Sequence, residues 1–262
     1  MNPALMPQMA LLAELPGWAF AAVLLVARIG SACMLLPGIG ESEVPGTVRA
    51  GFVFAFVALV LPVLQPDMPA MPPDVPHLLV MLLAEVIAGL WLGWLTRLIV
   101  LAPAMAGQII AGAIGMSNVI QPDPTLGPST AALSRLLGLA APVIVLAAGL
   151  HVYPLAALIG SYHLVPAGQF LPTGLTVDSF VSAFTSAFRL GFQLAVPFLM
   201  AALLFHSVIG LIGRLVPHLQ THFASVPGQI IGGLLLLLVI AGSMVSVWTE
   251  AAHDSFVALP GQ

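Results

Sequence analysis

The sequence predicts an all-α membrane protein, and two observations lead to that prediction. Hydrophobic residues make up 60% of its 262 residues and charged residues only 6%, whereas ordinary soluble domains carry about 25% charged residues. The hydrophobic residues also form about six long runs, each close to or above the roughly 20 residues that cross a bilayer as a helix. We therefore expect a single integral membrane domain over residues 1–262.

The six runs follow one another along the whole chain. They are separated by connectors rich in proline and glycine, such as QPDMPAMPPDVP at residues 65–76 and PAGQFLPTGLTVD at residues 166–178, which are typical of turns and loops. The fifth run is longer than a single span requires. The predicted helical runs are residues 18–36, 48–64, 78–102, 131–150, 181–212 and 230–248.

Prolines interrupt this simple pattern. Pro103, Pro142, Pro154 and Pro197 lie inside or beside the runs, where proline removes a helical hydrogen bond and bends the helix. Broken helices are tolerated at membrane depth only where protein or a watery cavity satisfies the freed backbone groups. We therefore expect several bent helical hairpins that face protein partners instead of lipid.

The charged residues indicate an orientation in the membrane. The chain has six basic residues, all arginine, and Arg49, Arg135 and Arg214 fall in or beside the first, third and fifth connectors. The positive-inside rule then places these connectors in the cytoplasm and both termini outside. Arg214 is also a candidate for a polar packing role within the membrane. The net charge of −4 forms no run, so the sequence does not indicate binding of nucleic acid.

The sequence lacks the motifs of common enzyme classes. Without lysine it has neither a Walker A motif nor a Schiff base, and it contains no G-x-S-x-G, H-E-x-x-H or C-x-x-C. His218 and His222 stand four residues apart, but no third metal ligand is near them in the sequence. We therefore expect no catalytic site, no cofactor and no metal.

The third run carries an acid within the segment EVIAGLWLG. Glu85, Gly89 and Gly93 lie at i, i+4 and i+8 and share one helix face, on which the glycines allow another backbone to approach closely. An acid at membrane depth is either an ion or proton site or a buried packing partner. For the packing role, the candidate partners are Arg28, Arg97 and a donor on another subunit.

A glycine-rich stretch, GQIIAGAIGMSNVIQPDPTLGP, follows the third run at residues 107–128. Glycine in a helix costs about 1 kcal/mol relative to alanine, so we expect this segment to bend, pack tightly and move. Its neutral, apolar side chains suit a segment that fills a pore, which we call the plug; the alternative is a re-entrant packing loop. The candidate plug residues are Gly107, Gln108, Ile110, Gly112, Gly115, Met116, Val119 and Asp123.

Five stretches of the chain, taken in order, carry a family resemblance. They are RIGSACMLLPGIGESEVPGTVRAGF (28–52), EVIAGLWLG (85–93), AGQIIAGAIGMSN (106–118), GLHVYPLAALIGSYHLVPAG (149–168) and AVPFLMAALLFHSVIGLIGRLVPHLQTHFASVPG (195–228). Together they resemble successive signatures of the FliR family, the flagellar type III export-gate family, which is related to SctT of virulence injectisomes. The chain departs from the family pattern at residues 149–151, 220–223 and 225–227.

The resemblance implies a role in protein export. FliR-like proteins form, with FliP-like and FliQ-like subunits, a closed helical gate in the bacterial inner membrane at the flagellar basal body. FlhB-like and FlhA-like components lie nearby, and unfolded flagellar proteins are the cargo. In this family the segment that matches residues 107–128 is a plug-like loop that helps to close the gate.

Two other functions stay open at this point. One is an injectisome export-gate subunit similar to SctT, and the other is a small secondary transporter or ion channel that uses Glu85. Transporters tend to show internal symmetry. The internal similarity in this chain is one short echo, GQIIAG at residue 107 and GQIIGG at residue 228, which is little for a transporter.

Overall fold

A computed structural model describes residues 6–116, 132–215 and 221–262, with side chains from residue 14 onward except at residues 221–224. This part of the chain contains helices and turns and no β-strand, so the predicted all-α fold is confirmed. A 3₁₀ turn at Gln65–Asp67 follows the second helix. The helices are α1 (Met6–Cys33), α2 (Gly46–Leu64), α3 (Val75–Ala113), α4 (Ala132–Ala147), α5 (Val152–Leu164), α6 (Thr173–Leu215) and α7 (Thr221–Val257).

The helices account for the predicted number of membrane spans. Within the described ranges, five segments are long and apolar enough to cross a bilayer, and α4 with α5 forms a bent pair that qualifies as a sixth span. The expectation of about six long apolar segments, some of them bent, is thereby confirmed. The five single segments are Glu14–Cys33, Gly46–Asp67, Val75–Ala113, Thr173–Leu215 and Ser225–Val257.

Three helices, α3, α6 and α7, are much longer than a simple span. At 1.5 Å per residue, the 39 residues of α3 and the 43 residues of α6 measure about 58 and 64 Å, roughly twice the hydrocarbon thickness. The third predicted run ended before Pro103, whereas α3 continues through that proline to Ala113. A single proline removes one hydrogen bond of a long ladder, so the helix continues. Residues 107–113, the beginning of the glycine-rich stretch, are therefore helical.

The bend between α4 and α5 lies at a glycine. Gly149 has φ +72°, a left-handed conformation that L-residues adopt only at a cost, and it follows directly after α4 and its closing turn. Pro142 lies inside α4 and Pro154 in the first turn of α5, where proline needs no helical donor. The sequence analysis expected prolines to bend this segment, whereas the bend between α4 and α5 lies at Gly149.

The described residues divide into two compact units. The first comprises Met1–Arg97, Gly149–Ser182 and Ser255–Gln262, and the second comprises Leu98–Ala148 and Ala183–Asp254. Each unit interleaves segments from distant parts of the chain. The prediction of a single domain is not tested by this division and stays a prediction.

In the first unit, α3 approaches α1 through its glycines. A β-carbon on Gly93 would lie 2.9 Å from Cβ of Leu35 and 3.0 Å from the carbonyl oxygen of Ala32, which is closer than real side chains pack. A β-carbon on Gly89 would overlap the carbonyl oxygen of Arg28. The helices thus meet backbone to backbone, as small residues allow in membrane proteins.

In the second unit, a tryptophan and a glycine fix the packing around the C-terminal half of α3. The buried Trp248 of α7 donates its indole N–H to the carbonyl oxygen of Ile99 at 3.1 Å. Gly191 of α6 faces the carbonyl oxygen of Ala102, which a β-carbon would approach to 3.0 Å. The fully buried Ile110, Val145 and Phe198 complete the apolar interior of this unit.

Substitution of Gly149 tests the origin of the bend. No atom lies within 4 Å of a β-carbon built there, so a side chain has room and only the backbone conformation opposes it. We expect Gly149→Val to destabilise the protein by about 1–2 kcal/mol and Gly149→Asn by less, because Asn tolerates left-handed backbone. Thermal unfolding of the detergent-purified protein measures this loss of stability.

The matched control is Gly242→Ala, because Gly242 lies in α7, also has open space around its Cα and has no positive φ. Alanine there should leave the midpoint of thermal unfolding unchanged or raise it. An equal response of Gly149→Val and Gly242→Ala would show that the backbone of Gly149 does not determine the bend.

Candidate functional site

The most distinctive polar group in the described residues is a buried ion pair between α1 and α3. Arg28 and Glu85 are both completely inaccessible to solvent. Nε and Nη2 of Arg28 donate to Oε2 and Oε1 of Glu85, each at 2.9 Å. Two parallel hydrogen bonds of this kind form the strongest arginine–carboxylate geometry. Of the two candidate arginines, the structure pairs Glu85 with Arg28.

The remaining donors of Arg28 bind α5 and the connector that follows it. Nη1 donates to Oγ of Ser161 at 3.2 Å, and both Nη1 and Nη2 donate to the carbonyl oxygen of Val165 at 3.0 Å. A guanidinium has five N–H donors, and here each donor has an acceptor. The ring of Tyr162 lies 3.9 Å from the guanidinium carbon, a cation–π contact.

Glu85 is equally well satisfied. Besides the two bonds from Arg28, Oε1 accepts the backbone N–H of Gly168 at 2.7 Å, and Oε2 lies 3.5 Å from the hydroxyl of Tyr162. A carboxylate has about four acceptor sites, and all four are engaged. No oxygen of Glu85 is left to coordinate a transported ion. The geometry therefore favours a packing role for Glu85 over an ion or proton site.

Two glycines allow the cluster to form. Gly89 lies one turn after Glu85 and admits the backbone of Arg28, whose carbonyl oxygen also accepts the hydroxyl of Ser31 at 3.0 Å. Gly168, which donates its N–H to Glu85, has φ +79°, a conformation that favours glycine, and a β-carbon there would collide with the side chain of Met81. At Gly89 and Gly168, the absence of a β-carbon thus leaves the space that the backbone and side chains around the ion pair occupy.

A second ion pair fixes the connector between α1 and α2. Arg97 binds both carboxylate oxygens of Glu41, with Nη2 to Oε2 at 2.9 Å. Arg49 donates from Nη2 to the carbonyl oxygens of Glu41 at 2.9 Å and Val44 at 3.2 Å. Arg97 therefore has Glu41 as its carboxylate partner, and its alternative pairing with Glu85 is not formed.

The candidate plug residues that the structure describes lie at the end of α3, within the second unit. Gly107 packs against α4, where a β-carbon would lie 2.7 Å from Cα of Ser134. Ser134 donates its hydroxyl to the carbonyl oxygen of Ala104 at 2.7 Å. Ile110 is fully buried, whereas Gln108 and Gly112 are exposed. The helical part of the stretch is therefore packed on the face that carries Gly107 and Ile110.

The helix end is capped by α7. Gln229 donates its side-chain amide to the carbonyl oxygen of Ala113 at 2.7 Å, which satisfies one of the unpaired carbonyls of the last turn. Gly115 has φ +78° and ends the turn after α3, close to the amide of Gln229. Ile114 packs on Gly233, where a side chain would collide with it. Met116, the last residue of the first described range, is half-buried.

An open apolar cavity of about 310 Å³ adjoins this cap. It lies between the end of α3, the middle of α6 and the start of α7, and all its lining residues belong to the second unit. Gln229 is its one polar lining residue. Val119 and Asp123 lie outside the described residues, and Arg214 is exposed in the last turn of α6.

Sequence reasoning missed the groups that complete these clusters. Ser161, Val165 and Gly168 contribute a hydroxyl and two backbone groups, and backbone groups leave no signature in a sequence. Glu41 lies within the first stretch of the family resemblance, and its spacing does not mark it as the partner of Arg97. Gln229 and Gly233, from the second copy of the echo, contact Ala113 and Ile114, but the echo in the sequence did not predict these contacts.

Comparison with known proteins identifies the family of the chain. A family model described as bacterial export proteins, family 1, matches residues 19–255. The flagellar biosynthetic protein FliR of Caulobacter vibrioides is 30% identical over 235 residues, which cover 90% of this chain and 94% of that protein. The chain belongs to the FliR family of bacterial export proteins.

Other relatives in the FliR family extend the match. The flagellar biosynthetic protein FliR of Aquifex aeolicus is 28% identical and covers 87% of this chain and 88% of its own length. The Yop proteins translocation protein T of Yersinia pestis is 26% identical with the same coverage. The resemblance read from the sequence is thereby confirmed, and it places the chain in a family of export proteins and not of known enzymes.

Substitution of Glu85 tests the packing role of the ion pair. Glu85→Gln keeps an oxygen for Gly168 but leaves the charge of Arg28 unbalanced, whereas Glu85→Leu removes every acceptor. We expect the amount of full-length chain in membranes to fall in the order wild type, Gln, Leu, with a cost of about 3–5 kcal/mol for Leu, because a buried charge loses its partner. Immunoblotting and thermal unfolding measure the two effects.

The double variant Arg28→Met with Glu85→Leu should cost less than the sum of the single variants, because it removes both charges. Glu250→Gln, at an exposed acid of α7, is the matched control and should behave as wild type. If Glu85→Gln abolished export while the chain level stayed normal, the packing role would be wrong.

Proposed function

We propose that this chain is a membrane subunit of a type III protein export gate, where it takes part in the passage of unfolded proteins across the bacterial inner membrane. The support is membership of the FliR family together with helices that the chain alone leaves uncovered. FliR relatives carry the name flagellar biosynthetic protein, and a relative of Yersinia carries the name translocation protein.

The uncovered helices are α6 and α7. In the most apolar part of α6, 11% of the residues are buried, and in that of α7 the share is 0%. In the corresponding part of α3 the share is 50%. Leu238 and Val239 of α7 are 76% and 80% exposed. Since apolar surface avoids water, lipid or other subunits cover these faces. Prolines in both helices free backbone groups that protein partners satisfy better than lipid.

The proposed partners are FliP-like and FliQ-like gate subunits, with FlhB-like and FlhA-like export components nearby. The proposed location is the flagellar basal body in the inner membrane, and the proposed cargo is unfolded flagellar protein. A flagellar system is proposed over an injectisome because the stretches of the chain resemble the FliR pattern more than that of SctT, and the relative at 30% identity is a FliR. The satisfied oxygens of Glu85 give no support to a transporter.

Copurification tests the gate proposal. A tagged full-length chain, expressed in its own cells, should be recovered with FliP-like and FliQ-like subunits, and deletion of its gene should abolish motility. Expressed without partners, it should aggregate or be degraded, because unsatisfied backbone groups in hydrocarbon cost several kcal/mol each. A stable, monodisperse chain that purifies alone from its own cells would contradict the proposal.

We also propose that the stretch after α3 closes the gate. The helix end is well anchored by Gln229 and Gly233, so the segment that begins at Met116 starts from a fixed point. The chemistry of Val119 and Ile120 suits an uncharged closing segment, and Asp123 between two prolines gives it a rigid exit. The alternative role, packing alone, applies to Gly107, Gln108, Ile110, Gly112 and Gly115, which lie on or directly after α3.

Deletion of residues 117–123 separates closure from packing, because every described contact of α3 stays in place. We expect the gate to assemble at normal levels but to leak sodium or a small dye when cargo is absent. A control variant, Ile114→Ala, weakens the packing on Gly233 instead and should lower complex levels without a leak. Equal permeability of the intact and deleted proteins, at matched complex levels, would remove the closing role.

A further inference from the structure

The exposed side of α6 carries a charge that no described residue of the chain balances. Arg189 is exposed, and among the described residues it forms no hydrogen bond or ion pair. Thr185 and Gln193 lie one turn before and one turn after it, and both are also exposed. At 100° per residue these three residues form one polar stripe along about 12 Å of the helix.

The polar stripe lies on the face of α6 opposite to its buried residues. Ala187 and Phe198, which are buried, lie on the opposite side of the helix from Arg189. The acidic residue of α6 is Asp178. It is 11 residues from Arg189, about 16 Å along the axis, so the two side chains cannot pair. Arg189 therefore has no partner among the described residues of the chain.

An aromatic stripe runs beside the polar one over the same length. Phe184, Phe188 and Phe192 stack in sequence, with ring centroids 6.3 and 6.2 Å apart, and each is about half exposed at 53%, 52% and 47%. At a lipid interface, aromatic side chains gather at one depth, whereas here the rings extend along the helix. Exposed aromatic residues beside an arginine are the composition of the central part of a protein–protein interface.

From this arrangement we propose that Thr185, Phe188, Arg189, Phe192 and Gln193 bind a helix of another membrane subunit that presents a carboxylate to Arg189. The polar stripe offers a guanidinium, an amide and a hydroxyl, and an Asp or Glu is the group that a guanidinium binds through two hydrogen bonds. The phenylalanine stripe packs on apolar side chains of the same partner helix. This inference rests on the proposed function, since it assigns one of the contacts within the gate.

Photocrosslinking in the native complex tests the contact. A benzoyl-phenylalanine in place of Phe188 keeps the ring and should crosslink to a membrane helix that contains Asp or Glu. Arg189→Glu should reduce that crosslink at least about tenfold, because like charges then oppose each other. Changing the crosslinked acid to Arg in the same cells should restore it. Arg189→Lys should keep part of the yield, because one hydrogen bond replaces two.

Arg135→Glu is the matched control, because Arg135 is an exposed arginine of the same unit and lies in the first turn of α4. It should leave the crosslink within twofold of wild type. Crosslinks to lipid alone, crosslinks to a second copy of this chain, or a crosslink insensitive to Arg189→Glu would each overturn the inference. If the unsubstituted chain copurified with no export subunit, the proposed function itself would fail, and that result is distinct.

Discussion

One constraint governs the first unit: a charge that is taken out of water has to be matched by opposite charge and by hydrogen bonds. Arg28 meets it by engaging all five of its N–H donors, and Glu85 by engaging both oxygens from three directions. The two residues come from α1 and α3, but their remaining partners come from α5 and the connector after it. The ion pair is therefore the point at which distant segments of the chain are held in one arrangement. Such a network specifies a unique structure more than it adds stability.

Glycine is the second requirement of this architecture. Between apolar helices in lipid there is little hydrophobic driving force, so association depends on close packing and hydrogen bonds. Gly89 and Gly93 bring α3 onto α1, Gly107 brings it onto α4, and Gly233 receives Ile114 at its end. From Gly89 to the turn after its end, α3 thus packs through glycine contacts. The second unit adds polar bonds at its contacts, from Ser134, Trp248 and Gln229.

The sequence predicted the features that depend on composition and spacing. The all-α fold, the number of apolar segments and the glycine face that bears Glu85 follow from hydrophobicity and from helical period. The choice of Arg28 over Arg97 did not follow, because both are compatible with spacing and only the three-dimensional path of the chain separates them. The continuation of α3 through Pro103 was missed, since one lost hydrogen bond is a small part of a 39-residue helix. The bend at Gly149 was assigned to proline because a positive φ is a property of the backbone that the sequence does not show.

The arrangement around Arg28 also sets an order of events during synthesis. Glu85 follows Arg28 by 57 residues and Val165 by 137 residues. At about 5–20 residues per second, the ribosome adds the first partner about 3–11 s later and the last about 7–27 s later. During that interval α1 carries an unpaired cation, which costs up to about 2.5–3.5 kcal/mol at the centre of a membrane helix. The insertion of α1 is thus completed by residues made much later, so its stable placement in the bilayer depends on α3 and α5 arriving beside it.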